Sequence, residues 1–324
     1  MASTEPRLGY WLSSEEHHPR RLVENAVAAE EAGFGSAMIS DHLNPWPARQ
    51  GQSGFVWGVL GAIAEATQSL VVGTGVSSTV HRLHPVVLAH AAATASVLMP
   101  GRFFLGLGTG ERLNEQATGQ RCPRPGERRK MLAAAVPVLQ RLLAGETVTQ
   151  ESKWFTVERA KLHTRPDSPP PIYVAASGKR TAEVAGKLAD GLIGVEPEPT
   201  VVTAFEAAGG EGKPRLAKLT MCWAPDEDDA RRTALEWFPN SALPGAALSD
   251  LARPEDIEAV AALVGEADVS RAVSCGPDPE VHRRAIARFV AAGYTEVYLH
   301  QVGPDQDGFL EFCQKELMPL VERP

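Results

Sequence analysis

An apolar, strand-like run followed by a helix-like segment recurs from one end of the chain to the other, and this alternation restricts the fold more than any motif does. Arg7–Leu12, Ser36–Asp41 and Leu70–Val76 are the first three runs. "RFFLGLG", "PPIYVAAS", "DGLIGV" and "RLAKLTMCW" follow, and Thr295–Val302 is the eighth. The segment after the first run, "PRRLVENAVAAEEAGFG", sets Leu22, Ala26 and Ala29 on one helical face and stops at Gly33. Pro137 inside "ERRKMLAAAVPVLQRLLAG" predicts a kink or a boundary in the fourth helix. Several runs are apolar without interruption, as in a parallel sheet buried on both faces. Eight such runs predict an α/β fold, a (β/α)8 TIM barrel, with a doubly wound open sheet as the alternative topology. The 324 residues form one barrel domain in this reading, with an inserted segment at about 239–276 between the seventh and eighth strands.

Composition narrows the function. The net charge of −8 argues against nucleic acid as a partner. No apolar run approaches ~18 residues, so no membrane span is expected. "MASTEPRLGYW" lacks a basic-then-apolar signal pattern, so export by that route is not expected, and Cys122, Cys222, Cys275 and Cys313 stand in no metal-binding or disulfide-rich spacing. The expectation is a cytoplasmic protein with no metal; a metal-dependent barrel hydrolase using Asp41, His42 and Glu111 is a lesser alternative.

In a barrel the active site lies at the carboxyl ends of the strands. Polar residues and glycines collect there. The first strand runs toward Ser13–Ser14–Glu15, the second into Ser40–Asp41–His42 and Asn44–Pro45–Trp46, and the third into Gly75–Val76–Ser77–Ser78. The fourth ends in Gly108–Thr109–Gly110–Glu111 and the fifth in Ser177–Gly178. Each has a plain structural reading: Asp41 as a turn cap, His42 as a loop histidine, Trp46 as a packing anchor, Glu15 on an exposed first turn. Their convergence on one rim favours a site.

The G-x-G-x-G of Gly106, Gly108 and Gly110 misplaces the third glycine of a dinucleotide fingerprint, and no acidic residue completes it. The loop reads as room for a flat ring with Glu111 beside it, or as a turn and capping device. Glu111, Asn114 and Glu115 share one helical face. Ser177–Gly178, before a helix starting near Lys179, is a candidate phosphate site, or an ordinary turn.

"ISDHLNPW", "VVGTGVSS", "RFFLGLGTGERLNE" and "ADGLIG" together resemble the luciferase-like oxidoreductases, in particular the branch that uses the deazaflavin coenzyme F420. The resemblance runs the length of the chain. It implies a barrel with an insertion, a homodimer, and a non-proline cis peptide at Gly75–Val76 facing the coenzyme ring. It implies catalytic roles for His42, Trp46, Glu111 and Glu15, and coenzyme contacts from Asp41, Gly75, Val76 and Ser78 on one side. Gly108, Thr109, Asn114, Ser177, Gly178 and Val195 complete that set. The implied reaction moves a hydride from the hydroxyl carbon of an alcohol or sugar to C5 of the deazaflavin. His42 takes the hydroxyl proton, Asp41 orients the site, Trp46 covers the reacting centre, and Glu111 serves the ring near N1. An FMN-dependent monooxygenase or a reductase driven by reduced F420 is the alternative. The sugar-phosphate-oxidising members hold phosphate with two lysines and an arginine. Here Glu198 replaces the first lysine, "ARPEDIEAVAALVGEAD" contains none, and Arg271 alone remains, so glucose 6-phosphate is not the expected substrate.

Overall fold

The computed structural model describes residues 6–79 and 81–318. The barrel strands are β1 (Arg7–Leu12), β2 (Ser36–Ile39), β3 (Val71–Thr74), β4 (Phe103–Gly108), β5 (Ile172–Ala175), β6 (Gly191–Gly194), β7 (Arg215–Cys222) and β8 (Glu296–Gln301). Each pairs in parallel with the next, and β8 returns to β1. The sheet is closed, as the eightfold alternation predicts, and the open doubly wound alternative is excluded.

Helices α1 (Pro19–Glu31), α2 (Val56–Ala66), α3 (Pro85–Leu98), α4 (Pro125–Leu143), α5 (Lys179–Leu188), α6 (Pro199–Phe205), α7 (Glu227–Trp237), α8 (Pro279–Ala291) and α9 (Gln306–Phe312) follow the strands. Proline in the first turn and a side-chain cap start several of them. His18 accepts from the Arg20 N–H, His84 from Val86, and Asp278 from Glu280. α4 runs through Pro137 as one assigned helix, so the boundary that proline suggested is not there.

Alternation along each strand sorts the core into two shells. Tyr10, Leu12, Ile39, Leu105, Val174 and Leu219 face the helices. Trp11, Met38, Phe104, Ile193, Leu216 and Tyr298 fill the barrel interior. Phe104 lies 5.1 Å from the Tyr173 ring and 6.4 Å from Tyr298. The interior is therefore a packed plug, and only its carboxyl-end rim is free to bind a ligand.

Segment 239–276 contains the short helices Gly245–Leu248, Pro254–Ala261 and Glu266–Ala272. Its last residues are not surplus: Ser274 and Cys275 pair in parallel with Met221 and Cys222 of β7. The segment roofs the mouth. Phe238, Val269, Val273 and Cys275 form a small core on which Trp46 leans. Three bonds stitch this roof to the rim. The Arg112 N–H donates to the Ser249 carbonyl at 3.0 Å, the Arg112 side chain to the Asp250 carbonyl at 3.4 Å, and the Arg49 N–H to Glu258 at 3.1 Å. Elements without a counterpart in the strand-and-helix reading are α6, α8 and an antiparallel hairpin of Val148–Glu151 with Thr156–Ala160.

Candidate active site

His42 stands at the centre of the rim, just beyond β2. Its Nδ1 lies 3.2 Å from the Asn44 carbonyl and 3.4 Å from Glu15 Oε1. Both are acceptors, which favours the hydrogen on Nδ1 and turns Nε2 toward the mouth. Nε2 is 3.6 Å from Glu111 Oε1. The Trp46 ring lies 4.9 Å from the imidazole at 54°. The four residues singled out for chemistry thus form one cluster drawn from the ends of β1, β2 and β4.

Each is held from behind. Glu15 is buried, and its Oε2 accepts from Ser13 at 3.1 Å and from Ser40. Burial works to raise its pKa, but His42 and the Ser40 hydroxyl outweigh it and hold the carboxyl below its usual value. Asn114 joins the two motif loops. Its Oδ1 accepts from the Leu43 N–H at 2.8 Å and the Asn44 N–H at 3.0 Å, while its Nδ2 donates to Glu111. Asn44 Nδ2 answers with a bond to the Leu113 carbonyl at 2.8 Å. One buried amide therefore spaces His42 from Glu111. Asp41 is fully engaged as well: Ser77 Oγ donates to it at 2.5 Å and Arg82 pairs with it.

The glycines carry a different burden from the one their spacing suggested. A Cβ on Gly106 would lie 1.9 Å from the Thr74 carbonyl, and one on Gly108 would lie 2.5 Å from Val76 Cγ2. The space is occupied by β3 and its continuation, not held open for a ring. The peptide between Gly75 and Val76 is cis, and Val76 remains half-buried at the mouth. Ser78 is buried and hydrogen-bonds Glu115, whose carboxyl burial pushes up. Thr109 is half-buried, while Val195, Ser177 and Gly178 are exposed. Gly178 begins α5 with no side-chain cap, so the first N–H groups of that helix are open.

The remains of a phosphate clamp are absent from the rim's polar set. Glu198 caps α6, accepting from the Thr200 N–H at 3.1 Å, and the exposed Arg271 pairs with Asp268 of its own helix. No group of three His, Cys, Asp or Glu side chains among the described residues is placed to hold a metal ion.

Residues the strand-end reading passed over lie on the opposite wall. Glu16 Oε1 is 3.0 Å from His300 Nε2, and its Oε2 accepts from the Gly303 N–H at 2.9 Å. Burial pushes the Glu16 carboxyl up to about 7, and burial and Lys218 hold His300 well below its ordinary value. Because Glu16 is harder to ionise folded than unfolded, the fold is most stable with it protonated and loses stability as pH rises from about 4.5 to about 7. Glu16→Gln is therefore expected to raise the melting temperature at pH 8, on the order of 2 °C, with little change at pH 4. Differential scanning fluorimetry at the two pH values checks this; equal shifts at both contradict it.

Comparison with known proteins places this geometry. The pattern of the family described as luciferase-like monooxygenase matches residues 2–296. The chain belongs to that family. It is 35% identical over 332 residues to an F420-dependent glucose-6-phosphate dehydrogenase of Microbacterium testaceum, covering 98% of each chain. It is 36% identical over 321 residues to the F420-dependent hydroxymycolic acid dehydrogenase of Mycobacterium tuberculosis, covering 96% of this chain and 87% of the other. The solved F420-dependent secondary alcohol dehydrogenase in complex with an F420-acetone adduct superposes with a TM-score of 0.90 at 26% identity, over 97% of this chain and 98% of that one.

Proposed function

We propose that this luciferase-like protein is a coenzyme F420-dependent dehydrogenase that oxidises the hydroxyl carbon of an alcohol or an unphosphorylated sugar. The observation that carries the reading is the placement of His42: Nδ1 turned to acceptors, Nε2 toward the mouth beside Glu111, and a buried carboxylate behind the ring. The mouth fits the coenzyme. Val76 offers an apolar shelf for a flat ring, Glu111 and Thr109 stand beside it, and the open N-terminus of α5 at Ser177–Gly178 suits the phosphate of its tail. When bound, the coenzyme supplies a two-electron hydride acceptor.

The side chains do the rest. His42 Nε2 accepts the substrate hydroxyl proton. Glu15, held ionised, stabilises the imidazolium that results. Trp46 covers the reacting carbon and, with the roof, keeps water away. Glu111 holds or moves a proton on the coenzyme side, its position set by Asn114. Asp41, tied to Ser77 and Arg82, supports the loop from beneath. Three buried thiols, Cys222, Cys275 and Cys313, are free, Cys222 and Cys275 even at one register, which favours a reducing cytoplasm. Exposed Val87, Val97 and Leu98 on α3 favour a homodimer through that face.

Coenzyme fluorescence during titration tests the reading. Saturable binding of F420, with FMN failing to compete, is the expected result, together with loss of oxidised-coenzyme absorbance on adding an alcohol. Tight FMN binding with no F420 binding would falsify it.

A further inference from the structure

Beyond Arg215, β7 is apolar except for Lys218 and Thr220, which fall on the same face as Leu216 and so point into the barrel. Lys218 Nζ lies 4.8 Å from the centre of the Trp11 ring and 5.1 Å from that of Phe238. Among the described residues no ion pair and no hydrogen bond reaches it, and the residue is only half-buried, so the ammonium opens on the mouth. Two aromatic faces replace part of its hydration, yet its three N–H donors have no acceptor. Burial holds its pKa below the ordinary lysine value, against the pull of Glu15, Glu16 and Glu196. A half-dry ammonium with open donors, three strands round the barrel from His42, is a binding group awaiting an oxygen.

The neighbourhood decides which oxygen. An anionic ligand would face Glu15 and Glu111 as well as Lys218, and like charge opposes it. A neutral hydroxyl or carbonyl oxygen meets no such opposition. Phe238 of the roof and Trp11 of the floor clamp the ammonium, so it is aimed rather than mobile.

Resting on the dehydrogenase reading above, we propose that Lys218 is a specificity-determining residue that donates a hydrogen bond to a second, neutral oxygen of the substrate. The pocket then prefers polyols and hydroxycarbonyl compounds to monohydric alcohols of equal size. His42 handles the hydroxyl being oxidised, and Lys218 fixes which carbon of a polyol is presented to it.

The test uses matched probes: butan-2-ol against butane-1,3-diol, and cyclohexanol against myo-inositol. In wild type kcat/KM favours the polyoxygenated member of each pair. Lys218→Met is expected to erase that preference, lowering the polyol value roughly ten- to hundredfold, mainly through KM, while the monohydric value holds. Lys218→Arg, which keeps the charge, retains part of the preference. An unchanged preference in Lys218→Met, or an equal fall for both members, overturns the proposal. A second readout needs no turnover. Reductive methylation of the wild-type protein, followed at Lys218 by mass spectrometry, is expected to slow with myo-inositol and not with cyclohexanol; equal rates overturn the proposal. Should wild type oxidise none of the probes, the dehydrogenase reading fails while the methylation arm still decides the role of Lys218.

Discussion

His42→Ala lowers the rate of coenzyme reduction by roughly 10²–10⁴-fold while leaving coenzyme binding intact; that is the contribution expected of a positioned general base. The size follows from the surroundings. Nδ1 is 3.2 Å from the Asn44 carbonyl, and Glu15 Oε1 stands 3.4 Å away, so the ring is oriented and a buried carboxylate stands ready to compensate its charge. Asp41 and Glu16 cannot take over. Asp41 is locked to Ser77 and Arg82, and Glu16 is spent on His300 and Gly303. Added imidazole is expected to restore part of the lost rate, because alanine leaves room for it beside Trp46. Single-turnover absorbance measurements with and without imidazole check both points. A variant rate near wild type would move the base elsewhere.

The largest effect on stability is expected at Gly106. Its missing Cβ would sit 1.9 Å from the Thr74 carbonyl, and backbone cannot swing aside as a side chain can. Thr74 also closes the gap from the other side: its Oγ1 donates to the Gly106 carbonyl at 2.8 Å and accepts from the Gly106 N–H at 3.1 Å. Gly106→Val therefore has to push β3 from β4 or break those bonds, at a cost of about 3 kcal/mol or more, the upper end for overpacking. Gly61→Ala is the control. It lies inside α2 with nothing within 4 Å of the added carbon, and it should be stabilising by about 0.4–1 kcal/mol. Urea midpoints for the two variants separate the outcomes. A Gly106→Val protein as stable as wild type would show that the strands have slack the packing does not suggest.

How much was legible depended on the physics behind each signal. Buried parallel strands need apolar residues on both faces, so β1, β4 and β8 announce themselves, and the polar residues just beyond them mark the rim. His42, Glu15 and Glu111 were legible for the same reason. The hairpin at 148–160 was not, because "VTQE" and "TVERA" are largely exposed and carry little apolar pattern. α8 hid behind its charges, with His282, Arg283 and Arg284 ahead of Ile286 and Arg288 between Ile286 and Phe289. The glycine loop misled because spacing cannot tell room for a ligand from room for another strand; the occupant of Gly106 comes from 32 residues earlier. Lys218 was passed over because a lysine in an apolar run reads as a side chain reaching for solvent. Only closure of the barrel turns that position inward.

The three stitches between roof and rim each use a main-chain group on at least one side: Arg112 N–H with Ser249, the Arg112 side chain with the Asp250 carbonyl, and Arg49 N–H with Glu258. Main-chain amides and carbonyls are nearly indifferent to the residue that bears them. The His42–Glu111 spacing, by contrast, hangs on the side chain of Asn114. The barrel thus divides into two heritable parts. The side chains gathered at the ends of β1, β2 and β4 tolerate little change, while the exposed residues of the roof are freer to vary. New substrates are most readily acquired by drift at those exposed roof positions, so long as the Val269, Val273 and Cys275 support under Trp46 is kept.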